Sequence, residues 1–207
     1  MFIKFCIMLL IMKKTQIYFF LEELNNINIS MLKKLKNISL IYRNYSKNNY
    51  IDRALQIKRF SKQFGHNLFI ANDLQLAQKL NVNLYIPSFN KKLKYLNLNN
   101  QKKMKVIGSA HNYSEIQKKI SQGCMGVFIS SLYKTSSHIN TRPLGFIRFS
   151  MLEKYFKSKL KVYALGGIGA DKIQKVWQLS ILGFALKSFL DKQQSHKKLN
   201  FLNLIAG

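Results

Sequence analysis

With 207 residues and an apolar fraction of 47%, the chain is about one domain long and carries enough hydrophobic material for a full core, which excludes wholesale disorder. Its two cysteines, Cys6 and Cys124, exclude a disulfide framework and a cysteine zinc site. Lys and Arg number 34 against 8 Asp and Glu, a net charge of +26, which disfavours chemistry built on several carboxylates and suits an acidic or phosphorylated partner. The positive charge is spread over the chain in doublets such as Lys13-Lys14, Lys91-Lys92 and Lys118-Lys119. No aromatic-interleaved basic stripe of the kind that stacks bases accompanies it. Compositional drift toward Lys, Asn and Ile therefore explains the charge better than nucleic-acid binding. That alternative would show as binding that weakens steeply with salt.

In chain order, residues 1–12 (MFIKFCIMLLIM) come first. This apolar run is about half the ~20 residues that a membrane-spanning helix needs, and no small-residue cleavage site follows it. It is expected to lie outside the fold, as a leader or as sequence upstream of a start at Met12. Neither a membrane partner nor a location other than the cytoplasm is expected.

Short apolar runs then follow at 17–20, 38–42, 67–71, 83–86, 104–108, 126–130, 162–165 and 182–186. They show little alternation, as strands buried on both faces do. Segments with helical spacing fall between them. One runs through Ile51, Ala54, Leu55, Ile57 and Lys58. A second, with Leu74, Leu76, Ala77 and Leu80, is capped by Asn72 or Asp73, and a third, with Ser114, Glu115, Ile116 and Ile120, ends at Gly123. The last contains Ile173, Val176, Trp177 and Leu179. Residues 91–103 are polar and read as a loop or a poor helix. Eight strands alternating with helices predict an α/β fold, a closed parallel (β/α)8 TIM barrel over residues 13–190. Residues 191–207 form a basic, then apolar, tail that is expected to cover the barrel base or a partner surface.

In such a barrel the reacting groups sit on the loops after the strands. After the seventh strand stand Gly166 and Gly167, whose amides can approach an anion closely. After the eighth come Lys187 and Ser188, and after the sixth a hydroxyl-rich loop from Ser130 to His138 that contains Thr135 and Ser137. After the third, Asn72-Asp73 offers a carboxylate for Mg2+ against a diphosphate. Taken singly, a glycine pair is more often a turn, and Asp73 more often a helix cap. Cys124 reads as core, His66 as a capping or solvent residue, and Trp177 as outer-layer packing. His111, just before a helix, is a candidate to face the site.

Several of these stretches resemble the thiamine phosphate synthase and TenI family over about residues 17–190, in a divergent branch. Val106-Ile107-Gly108-Ser109-Ala110-His111-Asn112 with Glu115 is similar to the family's strand-five Gly-x-Ser-x-His run. Ser130 to His138, followed by Pro143-Leu144-Gly145, is similar to its strand-six hydroxyl loop. Tyr163 to Ile168 is similar to its Ala-x-Gly-Gly-Ile, and 183–190 to its closing Gly-x-x-x-x-Ser.

The resemblance implies a transferase of thiamine biosynthesis. It would join a pyrimidine diphosphate to a thiazole phosphate and release pyrophosphate, with Mg2+ as cofactor and those phosphorylated small molecules as partners. It leaves room for a homo-oligomer. By position, it implies catalytic roles for Arg43, Ser109 and His138, with Ala110 the ungapped alternative to Ser109. It likewise implies phosphate or substrate binding by Thr135, Ser137, Gly166, Gly167 and Ser188, and metal binding by Asp73. The chain departs from the pattern at Ile41 (Gln in the family), Tyr45 (Lys), Asn90 (Asp) and His138 (Lys). A TenI-like or non-catalytic barrel that binds one phosphorylated thiazole or thiamine compound is the alternative reading.

Overall fold

The computed structural model describes residues 15–44, 49–92, 104–135, 142–169, 171–179 and 181–187. The apolar leader, the 191–207 tail, Tyr45, Ser137, His138 and Ser188 lie outside the described residues. The chain runs β1 (Gln16–Leu21), α1 (Asn26–Leu32), β2 (Ser39–Tyr42), α2 (Tyr50–Gln63), β3 (Asn67–Ala71), α3 (Leu74–Leu80) and β4 (Asn83–Ile86). It continues through β5 (Val106–Ala110), α4 (Tyr113–Ser121), β6 (Gly126–Ile129), α5 (Gly145–Phe156), β7 (Lys161–Leu165), α6 (Ile173–Trp177) and β8 (Gly183–Leu186). The strands pair in sequence order, all parallel, and close with β8 against β1. The expected barrel is present.

Burial on both strand faces explains the unalternating apolar runs. Tyr18, Phe20, Ile41, Phe69, Ala71, Tyr85, Ile107, Phe128, Tyr163 and Ala185 point into the barrel. Their neighbours, among them Phe19, Leu40, Ile70, Leu84, Val127, Val162 and Phe184, pack outward. There they meet Ala54, Ile57, Ala77, Ile116, Phe149 and Val176 of the helices. The interior is tiled with aromatic rings at edge-on angles. Tyr18 and Phe128 lie 4.9 Å apart at 86°, and Phe20 and Tyr85 lie 5.3 Å apart at 79°. Such edge contacts bring positive ring rims to negative ring faces. At the floor, Gln16 Oε1 accepts from the hydroxyls of Tyr18 (3.0 Å) and Tyr163 (2.9 Å), which satisfies both buried phenols.

The closing seam is tight. Gln16 N–H donates to Leu182 O at 2.8 Å, and a Cβ on Gly183 would land on the Gln16 carbonyl.

Some boundaries differ from the sequence reading. β5 is displaced two residues, to Val106–Ala110, because Leu84 pairs with Val106 while Lys105 is tied by its backbone to Asn83 Oδ1. Helices α1 and α5 were not anticipated. α1 starts from a reciprocal cap in which the side chains of Asn25 and Asn28 each accept the other's backbone N–H. His66 is neither a cap nor in solvent; it is buried at 7% exposure, with Nε2 3.2 Å from the Leu32 carbonyl. Cys124 is buried as expected, and burial pushes its thiol up to about 12. Trp177 packs on the outer layer as expected. Among the described residues no helix is long and apolar enough to cross a membrane.

Candidate functional site

At the C-terminal rim the loops after β6 and β7 are laced together. Leu132 N–H donates to Leu165 O at 2.9 Å and Tyr133 N–H to Gly166 O at 3.0 Å. Gly166 (φ +100°) and Gly167 (φ +65°) adopt left-handed backbone that side chains resist. Their absent side chains also permit the approach. A Cβ on Gly166 would sit 2.6 Å from Ser131 Cβ, and one on Gly167 would sit 2.5 Å from Lys134 O. The amides of both glycines find no acceptor among the described residues.

Thr135 lies in this fold of backbone, its Oγ1 buried without a hydrogen-bond partner. A buried hydroxyl left unpaired costs free energy unless something docks against it. Lys172 adds a cation: its Nζ reaches Gly167 O at 3.3 Å and lies 5.0 Å from the centre of the Tyr133 ring. Gly166 and Gly167 thus pack against Ser131, Tyr133 and Lys134, the residues that lead to Thr135, in a cup of loop backbone with the Lys172 ammonium beside it. Lys172 was not foreseen; a lysine five residues past the glycine pair was its only signal.

Across the mouth, Arg43 follows β2. Its N–H donates to Leu21 O at 2.9 Å, and its guanidinium stands 5.1 Å from the centre of the Phe20 ring. Inward-facing Ile41 lies two residues before it, so Arg43 continues the interior face up to the rim. The same parity places Ser109, two past interior Ile107, inside the barrel. Ala110 packs outward among the helices. Ser109 Oγ accepts from the Tyr85 hydroxyl at 2.8 Å.

His111, at the end of β5, is held by Glu115 one helical turn on. Its ring Nδ1 and its backbone N–H both lie 2.9 Å from Glu115 Oε2. A carboxylate acceptor fixes the Nδ1–H tautomer and leaves Nε2 for solvent or ligand. Lys187, two past interior Ala185 on β8, reaches the same rim and is exposed.

Asp73 caps α3, its Oδ1 accepting from Leu76 N–H at 2.9 Å. Beside it Asn72 takes left-handed backbone (φ +61°) and accepts from Asn90 Nδ2 at 2.6 Å. Asn90 Oδ1 in turn accepts from Lys92 N–H at 3.0 Å. Both amide oxygens are thus engaged, and no group of three His, Cys, Asp or Glu gathers around a metal position among the described residues. One oxygen of Asp73 is left by the cap. That donor set fits a divalent ion only where a diphosphate and water supply the other ligands. A cavity of about 400 Å3 lies at the opposite rim, lined by Glu153, Lys157, Lys159 and Lys161 among others; none of the expected residues borders it.

A closed parallel barrel of eight strands, with its β6 and β7 loops laced together at the C-terminal rim, defines a TIM barrel. The sequence profile of the family described as thiamine monophosphate synthase matches residues 14–190, and the chain belongs to that family. Thiamine-phosphate synthase of Prochlorococcus marinus strain AS9601 is 25% identical over 199 residues, covering 91% of this chain and 54% of that protein. Thiamine-phosphate synthase of Flavobacterium psychrophilum is 20% identical over 183 residues, covering 84% of this chain and 87% of the relative. The chain thus spans about half the length of the Prochlorococcus relative. The solved thiamine phosphate pyrophosphorylase from Pyrococcus furiosus superposes with a TM-score of 0.72 at 12% identity, over 96% of this chain and 100% of that one. At that identity the likeness speaks for the fold.

Proposed function

We propose that the chain is a transferase that joins a pyrimidine diphosphate to a thiazole phosphate with release of pyrophosphate, in thiamine biosynthesis. The observation that supports this reading is a pair of features on one rim with the chemistry to take anions: the cup, with glycine amides that find no acceptor among the described residues and a Thr135 hydroxyl buried without a partner, and Arg43 beside the Phe20 ring. The cup, with Ser137 and Ser188, would take the thiazole phosphate through backbone and hydroxyl donors. Arg43 would grip the diphosphate of the second substrate, its guanidinium oriented by the Phe20 ring. Ser109, fixed by Tyr85, and His138 would face the reacting carbon. Asp73 would hold Mg2+, which when bound offsets the charge growing on the departing diphosphate. Little proton transfer is asked of the protein, which suits a chain with 8 acidic residues. The test is purified protein with both substrates and Mg2+; formation of thiamine phosphate supports the reading, and none at high enzyme concentration rejects it.

A second reading has its own support. Ile41 faces the interior where the family resemblance puts a glutamine, and Asn90 stands where it puts a second acid. A barrel so altered would bind a single phosphorylated thiazole or thiamine compound. Saturable binding of one such compound without turnover favours it.

A further inference from the structure

Lys119 sits on the inner side of α4 at 1% exposure. Its ammonium donates to Pro87 O at 2.7 Å, Asn90 O at 2.9 Å and Gln122 Oε1 at 2.8 Å. Gln122, at 0% exposure, donates through Nε2 to the same Asn90 carbonyl at 2.9 Å and to Lys92 O at 2.8 Å. No carboxylate pairs with Lys119 among the described residues. Glu115, one turn earlier, is occupied by His111 and Asn112.

An ammonium withdrawn from water without an ion-pair partner is costly, the nearby Glu115 charge offsetting this only in part, and an apolar side chain of similar length would fill the same space. The position is therefore explained by its acceptors. Gly108 is cut to fit it, since a Cβ there would sit 2.7 Å from Lys119 Cδ. Two of the acceptors bound the turn after β4, which Asn90 N–H closes onto Pro87 O at 3.1 Å. The Asn90 side chain then reaches Asn72, the neighbour of Asp73, at 2.6 Å.

We propose that Lys119 is a positioning residue: with Gln122 it holds the turn after β4 and, through the Asn90–Asn72 hydrogen bond, fixes the Asp73 edge of the mouth against a diphosphate. The diphosphate part rests on the function proposed above; the mechanical part does not.

Two readouts on the full chain separate them: amide hydrogen exchange, and calorimetric titration with magnesium pyrophosphate and with inorganic phosphate. Lys119→Met should lose protection in residues 87–92 and 72–74 while β6 and β7 keep theirs. It should bind pyrophosphate roughly tenfold more weakly, the effect typical of residues that orient a ligand-holding group, with phosphate binding at the cup unchanged. Asn90→Ala, which leaves the core of α4 intact, should show the same pyrophosphate loss, and the double variant should be no weaker than either single one. If Lys119→Met does not fold, Asn90→Ala decides, and unchanged pyrophosphate binding in it overturns the proposal. Unchanged exchange in both segments, or equal weakening of both ligands, also overturns it. A wild-type chain that binds phosphate but not pyrophosphate removes the diphosphate reading, while the exchange data still decide the clamp.

Discussion

Thr135 shows how one side chain can be set for a ligand at a cost to the free protein. Its hydroxyl is buried with no partner. Thr135→Val should therefore leave the melting temperature unchanged or raise stability by up to about 1 kcal/mol, while phosphate binding at the cup weakens; thermal melts and a phosphate titration check the opposite signs. His66 makes a different point. A carbonyl can only accept, so the contact with Leu32 requires Nε2–H, and Nδ1 is left buried without a partner. Burial holds the imidazole below its ordinary value of 6.5, only partly offset by the hydrogen bond to Leu32. The unfolded chain therefore takes up the proton first. Stability is full above about 6.5, is lost as pH falls below it, and levels off once the folded imidazole is itself protonated. His66→Gln should flatten that acid limb in denaturant titrations run between about pH 7.5 and pH 5. Little of this was legible: the partner of His66 lies 34 residues away, and neighbouring Gly65 looks like an ordinary helix end. Lys119 was equally hidden, as one lysine of a doublet on a polar-looking helix.

At the scale of the element, α3 carries two roles on one residue. Asp73 is its cap, and the same carboxylate is the candidate metal ligand. Asparagine caps about as well as aspartate but lacks the charge, whereas alanine does neither. Asp73→Asn should melt like the wild type and lose Mg2+-dependent pyrophosphate binding; Asp73→Ala should also lose about 1 kcal/mol of stability. Equal Mg2+-dependent binding in wild type and Asp73→Asn would leave Asp73 as a cap alone. The strands were readable because burial on both faces writes itself as an unbroken apolar run, as in Asn67–Ala71 and Asn83–Ile86. α1 was not, because its core sequence Asn-Ile-Asn-Ile-Ser lacks a strong helical stripe and depends on the Asn25–Asn28 cap. The glycine pair and Thr135 were legible only as candidates, from their places after β7 and β6. Their lacing to the loop after β6 was not, since it depends on backbone from two loops more than thirty residues apart in sequence.

For the whole molecule, a net charge of +26 meets one Lys or Arg ion pair among the described residues, Arg53–Glu23, while Glu115 is held by His111. Self-repulsion should therefore depress stability at low salt. Raising ionic strength from roughly 0.05 M to 0.3 M shortens the screening length and should raise the melting temperature by a few degrees in a scanning fluorimeter. A nucleic-acid binder would instead show oligonucleotide affinity that collapses over the same salt range.

The β1–β8 seam also sets an order of events during synthesis. β1 is the first strand of the barrel to be made, yet one of its edges has no partner until Gly183 has left the ribosome. A nascent chain halted before that point carries two open sheet edges, at β1 and at the last strand formed, each a template for pairing with another chain. Closure of the barrel, and with it the loss of both open edges, therefore comes only with its eighth strand.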